Sequence, residues 1–199
     1  MATSYYEHKR AEGDAFAAFA AEQLTRFGYQ VGLYLTQGEQ YRIGESRMGL
    51  EIKLDDWLAR SGNVYFEMYE KTRASNQRFI ESGILRCDNT LLYGIGNRKE
   101  FFIFGKRTLQ RVYEAFDRGM VPPPADKDFI RRATPTSKGF TLPRWLATAY
   151  AERLFRAKPD GQWFDPQGAS WSFRVDDLRR ALGAANRNRS MFGEVRLHE

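Results

Sequence analysis

The chain has one cysteine, Cys87, and two histidines, His8 and His198, both far out toward the ends of the sequence. A single cysteine excludes an intramolecular disulfide and a cysteine-rich zinc site. Two remote histidines argue against a histidine-based zinc site and against a Ser-His or Cys-His nucleophilic pair. No run of about 18 apolar residues occurs, so nothing reads as a membrane span. The first ten residues carry charge and no apolar stretch, so no signal peptide is expected and the reading is of a soluble, intracellular protein. Any chemistry must rest on carboxylates, lysines, arginines and tyrosines.

What is present suits one mixed domain, or a domain with an appendage, in 199 residues. Hydrophobic residues at 42% and charged residues at 28% are ordinary for a packed core with a solvated surface. The net charge of +6 is unevenly placed. Residues 1–119 carry 17 basic and 16 acidic side chains, and residues 120–199 carry 14 and 9. A basic surface suits a polyanion such as nucleic acid.

Residues 11–27 repeat Phe16, Phe19, Ala20, Leu24 and Phe27 at helical spacing, and Gly28 ends the run. Strands are expected at 29–35, 48–54, 64–69, 90–95 and 100–104, the last two joined through Gly96-Asn97 as a hairpin. A helix is expected at 106–117. Pro122, Pro123 and Pro124 cannot continue it, which places a boundary near residue 120. Beyond it, helices are expected at 141–156 and 176–187 and a short strand at 171–175. The expectation is therefore an α/β (α+β) core over 1–119, a mixed central sheet flanked by helices, and a basic, mostly helical extension over 120–199.

The stretch Glu51-Ile52-Lys53-Leu54-Asp55 is followed by Glu67-Met68-Tyr69-Glu70-Lys71. On a strand, residues two apart share a face. Glu51, Lys53 and Asp55 then point one way, and Leu50, Ile52 and Leu54 the other. Glu67, Tyr69 and Lys71 share a face if their strand runs that far. If the two strands are antiparallel neighbours, two carboxylates and one or two lysines converge. Mg²⁺ needs oxygen ligands from one or two carboxylates and keeps several waters. A lysine beside it stabilises charge on phosphorus or orients a water. Ordinary cross-strand Glu–Lys pairing gives the same spacing.

The stretches GLEIKLDDW, SGNVYFEMYEK, ESGILRCDNTLLYGIGN and EFFIFGKRTLQ resemble the PD-(D/E)XK nuclease superfamily, the restriction-endonuclease-like fold, and most of all its small phage and bacterial members. The resemblance spans roughly residues 10–115. It implies an α-β-β-β-α-β core and Mg²⁺- or Mn²⁺-dependent phosphodiester hydrolysis, of DNA before RNA, in the cytoplasm of a bacterial or phage-infected cell. It implies Glu51 and Glu67 as the acidic positions, with Glu22 of the first helix assisting. Asp55 is either a third acidic group for the metal or simply the start of the turn. The lysine expected two residues after Glu67 is replaced by Tyr69, so Lys53 or Lys71 takes that role. A second register remains open, in which Glu51-Ile52-Lys53 is itself the Glu-x-Lys element and Glu39 or Glu45 supplies the upstream acid. Many enzymes of this fold pair subunits, which leaves a homodimer open.

For contacts to nucleic acid, the candidates are Arg73, Asn76 and Gln77 after the second motif, then Arg131, Arg132 and Lys138, then Arg179, Arg180, Arg187 and Arg189. Trp145, Trp163 and Trp171 are candidates for stacking on bases or for core packing. Two other function classes stay in play. The replacement at Tyr69 fits an inactive nucleic-acid-binding module, and nothing excludes a protein-binding protein of a phage or its host.

Overall fold

The computed structural model describes residues 5–29, 31–33, 38, 43–118 and 130–166. The expected helix and strand at 171–187, the Pro122–Pro124 linker, Glu39 and Trp171 lie outside them, as do Arg179, Arg180, Arg187 and Arg189.

The elements run α1 (Tyr5–Thr25), β1 (Leu50–Leu54), the single-turn α2 (Leu58–Ser61), β2 (Asn63–Glu70), β3 (Ile80–Glu81), a 3₁₀ turn (Gly83–Leu85), β4 (Leu92–Gly96), β5 (Glu100–Gly105) and α3 (Lys106–Asp117). Then follow β6 (Ile130–Ala133), β7 (Ser137–Pro143), α4 (Arg144–Tyr150), β8 (Arg153–Ala157) and β9 (Trp163–Phe164). They form two sheets, ordered β1-β4-β5-β8-β9 and β3-β2-β7-β6. β1 runs parallel to β4. The other pairings are antiparallel, including the expected β4–β5 hairpin.

The larger sheet is apolar on both faces, which explains why Phe101-Phe102-Ile103-Phe104 reads as an unbroken run rather than an alternation. Phe101 and Ile103 join Leu50, Ile52, Phe155 and Trp163 beneath the α1 stripe of Phe16, Ala20 and Leu24. Phe102 and Phe104 join Tyr93 and Ile95 on the opposite face. There they meet Val64, Phe66 and Met68 of β2, Phe140 and Leu142 of β7, and Leu109 and Val112 of α3. Gly94 is required by this packing, since a Cβ there would lie 2.4 Å from Phe101 Cζ. The class is the expected one, a mixed α/β fold with a central sheet flanked by helices.

Several expectations need correction. Among the described residues of 29–35 no strand forms, only the isolated bridge of Leu33 to Ser46. β1 and β2 are not neighbours. β4 takes the place beside β1, and β2 belongs to the other sheet. The described residues 130–166 are not a helical appendage. They hold four strands and one short helix, the strands complete both sheets, and Met1–Gln167 form one unit. The run expected as one helix over 141–156 is the end of β7, the short α4 and most of β8. Pro143 closes β7, and the backbone is extended again at Ala151.

Candidate active site

Alternation along β1 sends Leu50 and Ile52 under α1 and turns Glu51 and Lys53 toward the second sheet. Glu51 is 1% exposed, and neither carboxylate oxygen has a hydrogen-bond partner. Lys53 Nζ stands 3.1 Å from Glu51 Oε1, within ion-pair range but outside hydrogen-bonding geometry. The same ammonium donates to Glu45 Oε1 at 2.5 Å, and Glu45 Oε2 accepts the Ile52 backbone N–H at 3.0 Å. Of the two open registers, the loop residue Glu45 is thus brought to the motif lysine. Burial works to lower the Lys53 pKa, but Glu51 and then Glu45 more than offset it and hold the ammonium well above its ordinary value.

Beside Glu51 on β4 stands Tyr93. Burial, then the Glu51 carboxylate, push its phenol well above the ordinary range. Lys53, Glu67 and Glu45 act on the same phenol. The charges of both motif carboxylates thus act on one phenol, from different sheets.

Glu67 is held by two serines. Ser82 Oγ donates to Oε1 at 2.5 Å, and Ser137 Oγ donates to Oε2 at 2.6 Å. Ser137 has a single proton, so the phenol of Tyr65, 2.7 Å from Ser137 Oγ, is the donor in that contact. The result is a directed chain from Tyr65 through Ser137 to Glu67. Ser82 reaches Glu67 because Gly83 follows it at φ +49°, where a Cβ would lie 2.2 Å from the Glu67 carbonyl oxygen. Neither serine stood out in the sequence, because each comes from a segment distant from β2.

Other expected residues lie elsewhere. Asp55 spends its oxygens on backbone: Oδ1 accepts the N–H groups of Trp57 and Leu58, and Oδ2 that of Tyr65. It ties the α2 turn to β2, as a residue that starts the turn, at the edge of the pocket that Lys53 and Glu67 line. Lys71 follows the end of β2, past a bulge between Glu67 and Tyr69, and its ammonium sits 4.4 Å from the Phe79 ring centroid. It does not share the Glu67 face. Glu22 pairs with Arg26 on the solvent side of α1, and α1 covers the opposite face of the sheet from Glu51.

A pocket of about 650 Å³ opens on this patch, lined among others by Lys9, Lys53, Trp57, Glu67, Tyr93 and Arg132. Lys138 joins Lys71 over Phe79, at 4.2 Å from its centroid. Arg131 pairs with Asp117. Arg73, Asn76 and Gln77 are exposed in the loop after β2. Trp145 is exposed, whereas Trp163 is buried under α1.

Among the described residues, no group of three or more His, Cys, Asp and Glu side chains is placed to hold a metal ion. A two-carboxylate site is still compatible with Mg²⁺, which keeps most of its waters. The bare oxygens of Glu51 are the donor type it takes. No helix among the described residues is long and apolar enough to cross a membrane. Comparison with protein-family models, with curated proteins and with solved structures found no match to this chain.

Proposed function

We propose that the protein is a Mg²⁺-dependent nuclease, acting on DNA before RNA, with a restriction-endonuclease-like core. The observation that carries this reading is the buried Glu51 carboxylate. Both its oxygens lack hydrogen bonds, and Lys53 beside it lines a pocket. A buried unsatisfied acceptor costs about 1–3 kcal/mol. A fold retains such a group most readily where a ligand completes it.

Glu51 and Glu67 would hold the ion. When bound, Mg²⁺ polarises a phosphoryl oxygen and lowers the pKa of a water. The remaining work falls to side chains. Lys53 is locked in its charged form, so it serves as a fixed cation against developing negative charge and not as a base. Tyr93 stays a phenol and remains a proton donor beside Glu51. Ser82 and Ser137 fix the rotamer of Glu67, and Tyr65 orients Ser137. Arg132 brings positive charge to the pocket for a phosphate, whereas Lys9 is already paired with Glu12 and Asp56.

The test is cleavage of single-stranded, duplex and branched DNA and of RNA with Mg²⁺ or Mn²⁺, with EDTA as control. Cutting should vanish in EDTA and in Glu51→Gln, with that variant still folded by circular dichroism. If the wild type cuts none of these substrates, the reading fails. One observation favours a second reading: both oxygens of Glu67 are already engaged by serines. Tight, salt-sensitive binding without cleavage, indifferent to metal, would identify a nucleic-acid-binding module.

A further inference from the structure

Trp57 stands at the pocket with 67% of its surface exposed, although tryptophan usually carries its large apolar area inward. It lies just ahead of α2, held there because Asp55 accepts its backbone N–H. The Arg60 guanidinium lies over the ring, 5.6 Å from its centroid. An indole presented beside Lys53 and Arg132 combines a π-face with cations at one opening. That pairing takes a nucleotide, with its base on the ring and its phosphate on the cations. A base inside a duplex is already stacked on both sides and cannot reach the ring. The pocket, about 650 Å³, has the size of a small-molecule site and does not admit a double helix.

Resting on the nuclease reading of this site, we infer that the pocket takes an unpaired nucleotide stacked on Trp57, so the substrate is a single-stranded segment and not an intact duplex. Arg132 reaches the pocket from β6, and Lys138 and Lys71 lie beyond it around Phe79. The flanking strand would follow these cations away from the carboxylates.

The experiment measures fluorescence anisotropy of the full chain with a labelled 15-nucleotide oligothymidylate and with a blunt duplex of the same length. It is run in EDTA and again in Ca²⁺ in place of Mg²⁺. The single strand should bind at least about 10-fold tighter than the duplex. Trp57→Ala should weaken single-strand binding about 10-fold, and Trp57→Phe should restore most of it. Trp145→Ala should change nothing, because Trp145 is 60% exposed but does not line the pocket. Equal affinity for both oligonucleotides, no binding of either, or single-strand binding unaffected by Trp57→Ala overturns the inference. The two readings fail separately. Duplex cleavage insensitive to Trp57→Ala would sink the strand preference and leave the nuclease standing. Trp57-dependent single-strand binding without any cleavage would do the reverse.

Discussion

Replacing Glu51 with methionine keeps the length of the side chain and removes a buried carboxylate. The wild-type group carries two oxygens without hydrogen bonds at 1% exposure. Leaving a buried acceptor unmade costs about 1–3 kcal/mol. Against that stands the ion pair with Lys53 at 3.1 Å. The lysine keeps Glu45 as a partner, and its side chain is 39% exposed, so losing Glu51 costs it about 1 kcal/mol or less. Taking that loss in full, the balance predicts that E51M is more stable than the wild type in EDTA by up to about 2 kcal/mol. For a chain of this size that is a rise in melting temperature of up to roughly 8 °C. In Mn²⁺ at 100 times its dissociation constant the wild type should gain about 2.7 kcal/mol and the variant nothing. The stability order should therefore narrow or reverse on adding metal. Differential scanning calorimetry in the two buffers reads both effects. A variant that melts several degrees lower in EDTA, together with a wild type indifferent to metal, would show that Glu51 is a structural group and refute the reasoning.

Asp55→Ala removes the acceptor of three backbone N–H groups and should cost about 1–3 kcal/mol in chemical denaturation, with no effect on the metal-induced stabilisation of the wild type. Lys106→Met strands Asp88, whose carboxylate is 1% exposed and paired with Lys106 at 2.8 Å. It should destabilise the fold by about 3–5 kcal/mol, read as an earlier urea midpoint. Lys53→Met should lower the rate of cleavage about 10²–10³-fold, with folding retained by circular dichroism. The Lys53 pKa is raised in the fold, so its contribution to stability is complete below the ordinary value of 10.5 and fades only as pH climbs toward the higher folded value. The stability difference between wild type and Lys53→Met should thus be flat from about pH 7 to about pH 9, and a slope there would contradict the assignment.

Local periodicity was enough to read which way Glu51 and Lys53 face, because period two is a property of the strand itself. It could not identify the strand's neighbour. Consecutive strands pair or neighbour one another about two-thirds of the time. Here the chain between β1 and β2 departs from that habit for a local reason. Asp55 accepts N–H groups from the α2 turn and from Tyr65, and that clasp redirects the backbone into the second sheet. Lys71 was displaced by a second local feature, the bulge between Glu67 and Tyr69, which breaks the alternation that would have carried it to the Glu67 face. The bulge depends on pairing with the distant β7, and the Asp55 clasp joins residues outside β1 to the start of β2, so neither is visible along β1 or β2 alone. The basic segment after residue 130 misled differently. Its strands β6 and β7 are charged or polar over much of their length because they sit at the edge and next to the edge of the smaller sheet.

The two motif carboxylates are held in opposite ways, and that asymmetry divides their roles. Glu67 is fixed by Ser82 and Ser137, so its direction is set before any ligand arrives. Glu51 is held by burial and by Lys53, and its oxygens carry no hydrogen bond. A ligand entering the pocket meets the prealigned Glu67 and the Lys53 ammonium, with the unsatisfied Glu51 carboxylate buried behind that lysine. Binding that draws on Glu51 recovers the cost of burying it. Binding that draws on Glu67 must share it with the serines. Removing the serines should then separate the two effects. Ser137→Ala frees one oxygen of Glu67 but loses the rotamer lock, so metal affinity measured by calorimetric titration should stay within about threefold while the cleavage rate falls. An equal fall in both would mean that the serine holds the ligand set together and does not merely aim it.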